Sequence, residues 1–291
     1  MLKKPHWVKI SLPKISSKYR EVISILKKYN LNTVCKEAKC PNTGECWGQG
    51  EATFMILGNI CTRNCKFCAT QTGNPEQYVD REEPERIKNA VVELGLNYVV
   101  LTSVDRDDLE DYGSEVFFET AKKLKEIGVN IEVLTPDFGG DENLIKKVIE
   151  GGVDVFAHNV EVVKRFTPIL RDRKASYKLS LSVLEKVKSI SDVFIKSGFM
   201  VGIGETKEEV YKTLNDLYNS GVDIVTIGQY LQPAKDKHKV IRYVSPNEFI
   251  EYKIYGESIG IKHVESGPLV RSSYNAKKIY EKLISNKSIT I

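Results

Sequence analysis

The chain has 291 residues, 41% hydrophobic and 28% charged, and its 43 basic and 39 acidic side chains leave a formal net charge of +4. That is the composition of a soluble globular protein long enough for a full core, and the balanced charge gives no footing for a nucleic-acid binder. All six cysteines fall between Cys35 and Cys68; no crosslink could reach most of the chain, which excludes a disulfide-stapled secreted fold.

The opening segment, MLKKPHWVKISLPKI, is basic but holds no apolar signal core and no small-residue cleavage site. No run approaches the ~18 apolar residues that span a bilayer. The chain reads as cytoplasmic with no membrane partner, and cytoplasmic cysteines bind metal or do chemistry. A helix is expected over 17–29, where Val22, Ile25, Leu26 and Tyr29 share one face. From Ala52 the pattern changes. Strand-like runs at 52–57, 97–103, 129–135, 154–160, 193–203 and 223–231 alternate with amphipathic stretches at 84–94, 114–127, 141–150, 176–190 and 206–219. Gly95, Gly128, Gly151 and Gly221 suit helix C-termini; Ser114, Asp141, Ser176 and Thr206 suit N-caps.

Six β-runs with five intervening helices imply a parallel sheet with right-handed crossovers. Periodicity alone fits both a doubly wound sheet and a partial barrel. Residues 232–244 are polar and irregular. Another helix starts at Ser245, with Pro246 suited to its first position, and runs toward Gly260. A loop containing Gly267 and Pro268 leads to a final helix over roughly 275–284. The expected organisation is an N-terminal extension over 1–50, a barrel-like domain over 51–235 and a C-terminal extension over 236–291.

The second cysteine triplet, CTRNCKFC at 61–68, follows the first strand directly. Three thiolates on one loop can face one centre, yet a cubane cluster has four irons, so one iron stays open. Zinc and inert thiols are the plainer alternatives, but structural zinc wants four ligands in two close pairs. Here only Cys65 and Cys68 show CxxC spacing. The pattern CxxxCxxC, with an aromatic before its last cysteine, resembles the radical S-adenosylmethionine superfamily. That resemblance implies a partial (β/α)6 TIM-like barrel, a 4Fe-4S cluster on Cys61, Cys65 and Cys68, and S-adenosylmethionine chelating the open iron.

The first triplet, CKEAKCPNTGEC at 35–46, would alone be a weak signal for a second zinc site or extra ligands. Read with the second, TVCKEAKCPNTGECW resembles the auxiliary-cluster motif of the lipoyl synthase family. The segments LTSVDRDDLEDYG (101–113), EVLTPDF (132–138), HNVE (158–161), TIGQYLQP (226–233) and GPLVRSSYNA (267–276) are similar to that family too. The likeness covers about residues 30–280. It implies a second 4Fe-4S cluster on Cys35, Cys40 and Cys46, with Ser273 of RSSY as its fourth ligand. From the residues alone, Ser272 and Ser273 are helix N-cap candidates. An oxygen ligand is harder and weaker for iron than a thiolate, so that iron could leave.

Gly202 and Gly204 end the fifth strand, where a backbone without Cβ could approach the cofactor; a tight turn is the plainer reading. Glu132 and Asn159 are further cofactor-binding candidates. A buried Glu132 needs a partner, either a cofactor amine or ribose or a lysine. Asp105, Arg106, Asp107 and Asp108 form either a solvated loop or a cover over the cofactor. Arg171 and Arg173 face solvent or bind a partner protein. His158 and His238 read as structural or surface residues.

The resemblance implies insertion of two sulfur atoms at C6 and C8 of an octanoyl group. That group is carried on a lysine of a lipoyl carrier, such as an E2 subunit or the glycine-cleavage H protein. An electron donor such as ferredoxin or flavodoxin is implied. Unactivated carbons need a radical, which a cofactor must generate. Another sulfur-inserting enzyme of the superfamily, such as a biotin synthase-like protein, and an iron–sulfur electron carrier are the competing readings.

Overall fold

The computed structural model describes residues 3–9 and 16–289; the rest of the expected 1–50 extension lies outside the described residues. The chain opens with α1 (Ser17–Lys28), capped by Ser16, then β1 (Asn32–Thr33), α2 (Val34–Glu37) and α3 (Thr43–Gly48). Next come β2 (Thr53–Ile56) and a loop carrying the small pair β3 (Ile60–Cys61) and β4 (Gln71–Thr72). The alternation follows as α4 (Glu83–Leu94), β5 (Tyr98–Ser103), α5 (Ser114–Lys125), β6 (Asn130–Leu134), α6 (Glu142–Glu150) and β7 (Val155–Ala157). It continues through α7 (Thr167–Leu170), α8 (Tyr177–Ile190), β8 (Phe194–Val201), α9 (Lys207–Asn219) and β9 (Ile224–Gln229). The chain closes with α10 (Pro246–Ser258), β10 (His263–Gly267) and α11 (Ala276–Ile289).

All six expected strands form. They lie side by side in chain order, β2-β5-β6-β7-β8-β9, and every pair is parallel. A doubly wound sheet reverses its strand order at a switch point; this one never does. Serial order gives the partial barrel. Two further strands flank the six. β1 pairs antiparallel with β2, and β10 pairs parallel with β9. The loop expected before Gly267 is therefore partly strand. HVESG has no run of apolar side chains, since an edge strand needs fewer of them.

One terminus expectation is corrected. Ser114 is not an N-cap: it is the first residue of α5, and Asp111 instead accepts from the amides of Gly113 and Glu115 at 3.0 Å each. Gly151 ends α6 as expected but stays right-handed (φ −64°), and Gly152 takes the left-handed turn. Gly151 is small for another reason: a Cβ there would press on Ala121 and the Phe118 carbonyl at 3.0 Å. Asp141, Ser176 and Thr206 cap as expected.

Strand alternation sorts the side chains into two sets. Val99, Leu101, Ile131, Val133, Ile195 and Val225 point outward into the helix-covered core. Tyr98, Val100, Glu132, Leu134, Gly198, Met200, Thr226 and Gly228 point inward and line a cavity. That core is continuous from Val22 of α1 to Val264 of β10, so both extensions share it.

A second cluster closes the N-terminal end of the strands. Ala276, Ile279, Tyr280 and Leu283 of α11 pack on Tyr98, Val155, Phe194 and Ile224, the first residues of β5, β7, β8 and β9. Tyr280 contacts Tyr98 and Phe194 at centroid distances of 5.4 and 6.2 Å. Tyr280→Ala is expected to lower unfolding free energy by about 3 kcal/mol, measured by denaturant titration.

Candidate active site

The loop carrying Cys61, Cys65 and Cys68 leaves the C-terminal end of β2. Its entry is fixed by Glu83, whose carboxyl accepts from the Leu57 amide at 2.8 Å. Arg63 then anchors it. This side chain is 4% exposed and sits between Cys61 and Cys65. It donates to Asp107 (Nη2, 2.8 Å; Nε, 3.0 Å) and to Asp137 (Nη1, 2.6 Å; Nη2, 2.9 Å), and lies 3.3 Å from Asp105. The three carboxylates follow β5 and β6, so one guanidinium ties the cysteine loop to the ends of two neighbouring strands.

Burial would lift the Asp107 and Asp137 carboxyls, but the hydrogen bonds from Arg63 outweigh it and hold both below their ordinary value. Asp105 is different. Burial pushes it up to about 6 against the pull of Arg63. Its carboxyl stands 3.7 Å from Cys61 Sγ. The solvated-loop reading of 105–108 is thus corrected, since Arg106 is 1% exposed and forks onto Asp108 at 2.8 Å. Lysine cannot reproduce the Arg63 fork. Arg63→Lys is expected to cost about 3 kcal/mol of stability, because buried carboxylates lose their partner; denaturant unfolding of the apo chain measures it.

The two thiol groups lie in adjoining cavities. A cavity of about 210 Å³ is lined by Cys61, Cys65 and Cys68 with Asp105, His158 and Arg171. A larger one, about 700 Å³, is shared by Cys68, Cys35, Cys40, Cys46 and Ser273. Phe67, Asn159 and Glu161 line both. Burial pushes the Cys46, Cys61 and Cys65 thiols up to about 12, and Cys46 is raised further by Cys35 and Cys40. Among the described residues no three His, Cys, Asp or Glu side chains converge on one metal ion.

Three contacts hold the segment that carries Ser273 in place. Asn42 Nδ2 donates to Leu269 O at 2.7 Å, joining the cysteine segment to the loop before RSSY. Gly228 lets that loop enter the barrel, because any Cβ there would collide with the Val270 carbonyl. Thr53 of β2 then donates to Ser273 Oγ at 2.9 Å. Ser272 accepts from Asn159 at 2.8 Å. Gly228 escaped the sequence reading, although a glycine inside an apolar strand is itself a signal of close backbone approach.

The other candidates divide. Glu132 has the lysine partner: Lys196 donates at 2.6 Å and Tyr98 at 2.9 Å, all three buried. Gly202 and Gly204 are not among the residues lining either cavity. Their turn has an internal cause. The Glu205 carboxylate accepts from the amides of Gly202, Ile203 and Gly204 at 2.7, 2.9 and 3.1 Å. A Cβ on Gly202 (φ +94°) would collide with Gln229 and the Arg242 carbonyl. Asn159 faces both cavities, donating to Glu161 at 3.1 Å.

His158 is structural. Its Nδ1 meets Thr135 O at 3.0 Å and its Nε2 meets Ser180 Oγ at 2.9 Å; Arg171 Nη1 donates to the same Ser180 at 2.8 Å. Burial, with Arg171 adding to it, lowers His158 to about 4. The native state then binds fewer protons than the unfolded chain between pH 4 and 6.5. Stability present above pH 6.5 is lost as pH falls toward 4, by about 3 kcal/mol. His158→Gln is expected to remove that part of the slope in unfolding titrations at stepped pH.

Six parallel strands in serial order, with a CxxxCxxC loop at the C-terminal end of the first, define a radical S-adenosylmethionine enzyme. The family model of the Radical SAM superfamily matches residues 55–217. Two solved structures share the fold at low identity. Methylornithine synthase (PylB) has a TM-score of 0.58 and 18% identity over 88% of this chain and 72% of that one. The maturase HydG has 0.57 and 14%, over 85% and 63%. Curated relatives are much nearer. The lipoyl synthases of Pyrobaculum aerophilum and Caldicellulosiruptor saccharolyticus are 51% and 52% identical, over 97% and 95% of this chain and 98% and 97% of theirs. That of Thermus thermophilus is 48% identical over 95% of this chain and 86% of its own. The chain belongs to the lipoyl synthase family. It is a radical sulfur-inserting enzyme of lipoate biosynthesis and uses 4Fe-4S clusters and S-adenosylmethionine.

The donor set suits such groups. Buried thiols with strongly raised pKa gain from a bound cation, which removes the charge penalty of each thiolate. A cluster also spreads its thiolates over separate irons.

Proposed function

We propose that this chain converts an octanoyl group, held on a lysine of a lipoyl carrier protein or domain, into a lipoyl group by adding sulfur at C6 and C8. E2 subunits and the glycine-cleavage H protein are the proposed carriers, ferredoxin or flavodoxin the proposed reductant, and the cytoplasm the proposed location. Among the described residues no helix is long and apolar enough to cross a membrane. The observation that carries the reading is the 700 Å³ cavity, with Cys68 and Phe67 on its wall together with Cys35, Cys40, Cys46 and Ser273.

In this reading Cys61, Cys65 and Cys68 hold one cluster, and Cys35, Cys40, Cys46 and Ser273 hold the auxiliary one. A cluster held by the first three would supply, with S-adenosylmethionine, the radical chemistry needed to take hydrogen from an unactivated carbon. The auxiliary cluster is a substrate, consumed as the sulfur source. The protein's own part is placement. Val100, Leu134, Phe199 and Met200 give the cavity apolar walls, which suit a saturated chain and keep water and stray hydrogen donors away. Thr53 aims the Ser273 oxygen, a hard and weak ligand that can release its iron. Asn159 is the proposed cofactor contact, supported by its position on the walls of both cavities. Glu132 shapes the cavity through its pair with Lys196.

Anaerobic reconstitution followed by octanoylated carrier peptide and S-adenosylmethionine tests the reading. Peptide bearing two sulfurs, alongside 5′-deoxyadenosine, is the expected product; 5′-deoxyadenosine with sulfur-free peptide would overturn it. Ser273→Ala is expected to lower sulfur insertion about tenfold or more, as lost cluster partners do. Equal cluster content and equal lipoyl formation in the variant would remove Ser273 from the site.

A further inference from the structure

Three segments meet on the outer side of the 61–68 loop. The Lys66 amide donates to Leu170 O at 2.7 Å, and the Lys66 carbonyl accepts from the His238 amide at 2.9 Å. The Asp172 amide donates to Cys65 Sγ at 3.3 Å. These segments carry Lys66, Arg173, Lys174, Lys235, Lys237 and Lys239; all are exposed except Lys237, which is half-buried. Only Asp172 and Asp236 oppose them there. Arg171, between Leu170 and Asp172, lines the smaller cavity instead. Asp172 is also turned inward, accepting from the amides of Asn64 and Lys174 at 3.0 Å each. Lys174 lies 3.5 Å from Asp107. The other five cations have no ion-pair partner among the described residues.

We propose that this face docks an acidic one-electron donor protein, an inference that rests on the cluster assigned above to Cys61, Cys65 and Cys68. The donor loses one electron and the cluster gains it; no bond is made or broken at this step. An electron donor needs only to come near the cysteine loop. An acyl carrier must push its chain through an opening. None of these six cations lines either cavity, whereas Lys4, Lys18, Lys39 and Lys277 line the larger one. The chemistry of the outer face therefore suits the donor rather than the acyl carrier. Charge of one sign at such a face raises the encounter rate and makes it fall with salt.

The test uses the reconstituted holoenzyme and a triple variant, Arg173→Glu with Lys235→Glu and Lys239→Glu. Reduced flavodoxin, an acidic carrier, is mixed with each at low salt and cluster reduction is followed by stopped flow. The variant is expected to react about tenfold more slowly or worse, with the difference shrinking at high salt. Product formation driven by dithionite is expected to be unchanged. An unchanged flavodoxin rate would overturn the proposal, as would an equal loss with dithionite. A raised KM for octanoylated carrier at an unchanged flavodoxin rate would assign the face to the carrier instead. Failure of the functional reading shows separately, as wild-type enzyme making no sulfur-bearing peptide with dithionite while its cluster still takes an electron from flavodoxin.

Discussion

Arg63 stands between two cysteines and spends its whole guanidinium on carboxylates from other parts of the chain. Asp107 and Asp137 come from the ends of β5 and β6, so the loop cannot shift without breaking charged bonds that have no water to replace them. A loop of this length would otherwise be free to sample many conformations. With Arg63 in place, the side chains of 61, 65 and 68 take their positions from the sheet. Glu83 at the loop's entry, and the Leu170 and His238 contacts at Lys66, hold its other ends.

The other half of the site depends on absent atoms rather than on charge. Gly228 has no side chain, so the strand next to β10 leaves room for a backbone to run inside the barrel. The pairing of β9 with β10 delivers the chain to that opening, residue for residue from Ile224–His263 to Gly228–Gly267. The next residues carry Ser273 to Thr53, on the first strand of the barrel. The first and last parts of the sheet thus meet around one hydroxyl. β1, which bears Thr33 just ahead of Cys35, adds to the same edge through β2.

The strands were legible because a parallel strand is buried on both faces and reads as an unbroken apolar run. The barrel was less so: two architectures share the alternation, and only neighbour order separates them. β10 was invisible to the same logic, since its His, Glu, Ser and Gly look like loop. The cysteines were legible as chemistry, because thiol spacing along a chain survives folding. What the neighbours would do was not. Glu132 finds Lys196 across 64 positions of sequence, and nothing in either segment names the other. The amides of Gly202 and Gly204 are held by the carboxylate of Glu205, their own neighbour, a partner that the glycine pattern alone does not name. Ser273 entered through family likeness; its local sequence reads as an ordinary cap.

The position of α11 has a consequence for turnover. Only Tyr274 and Asn275 separate Ser273 from a helix whose first turns are buried in the floor of the barrel. In the proposed reaction the serine must let go of an iron that leaves. Its excursion is limited by that tether to roughly 10 Å. A released hydroxyl stays within reach of the place it left, and refilling the site asks for new iron and sulfide without any refolding of the C-terminal chain. In that reading, the helix that seals the barrel also keeps the Ser273 hydroxyl close to the place it left.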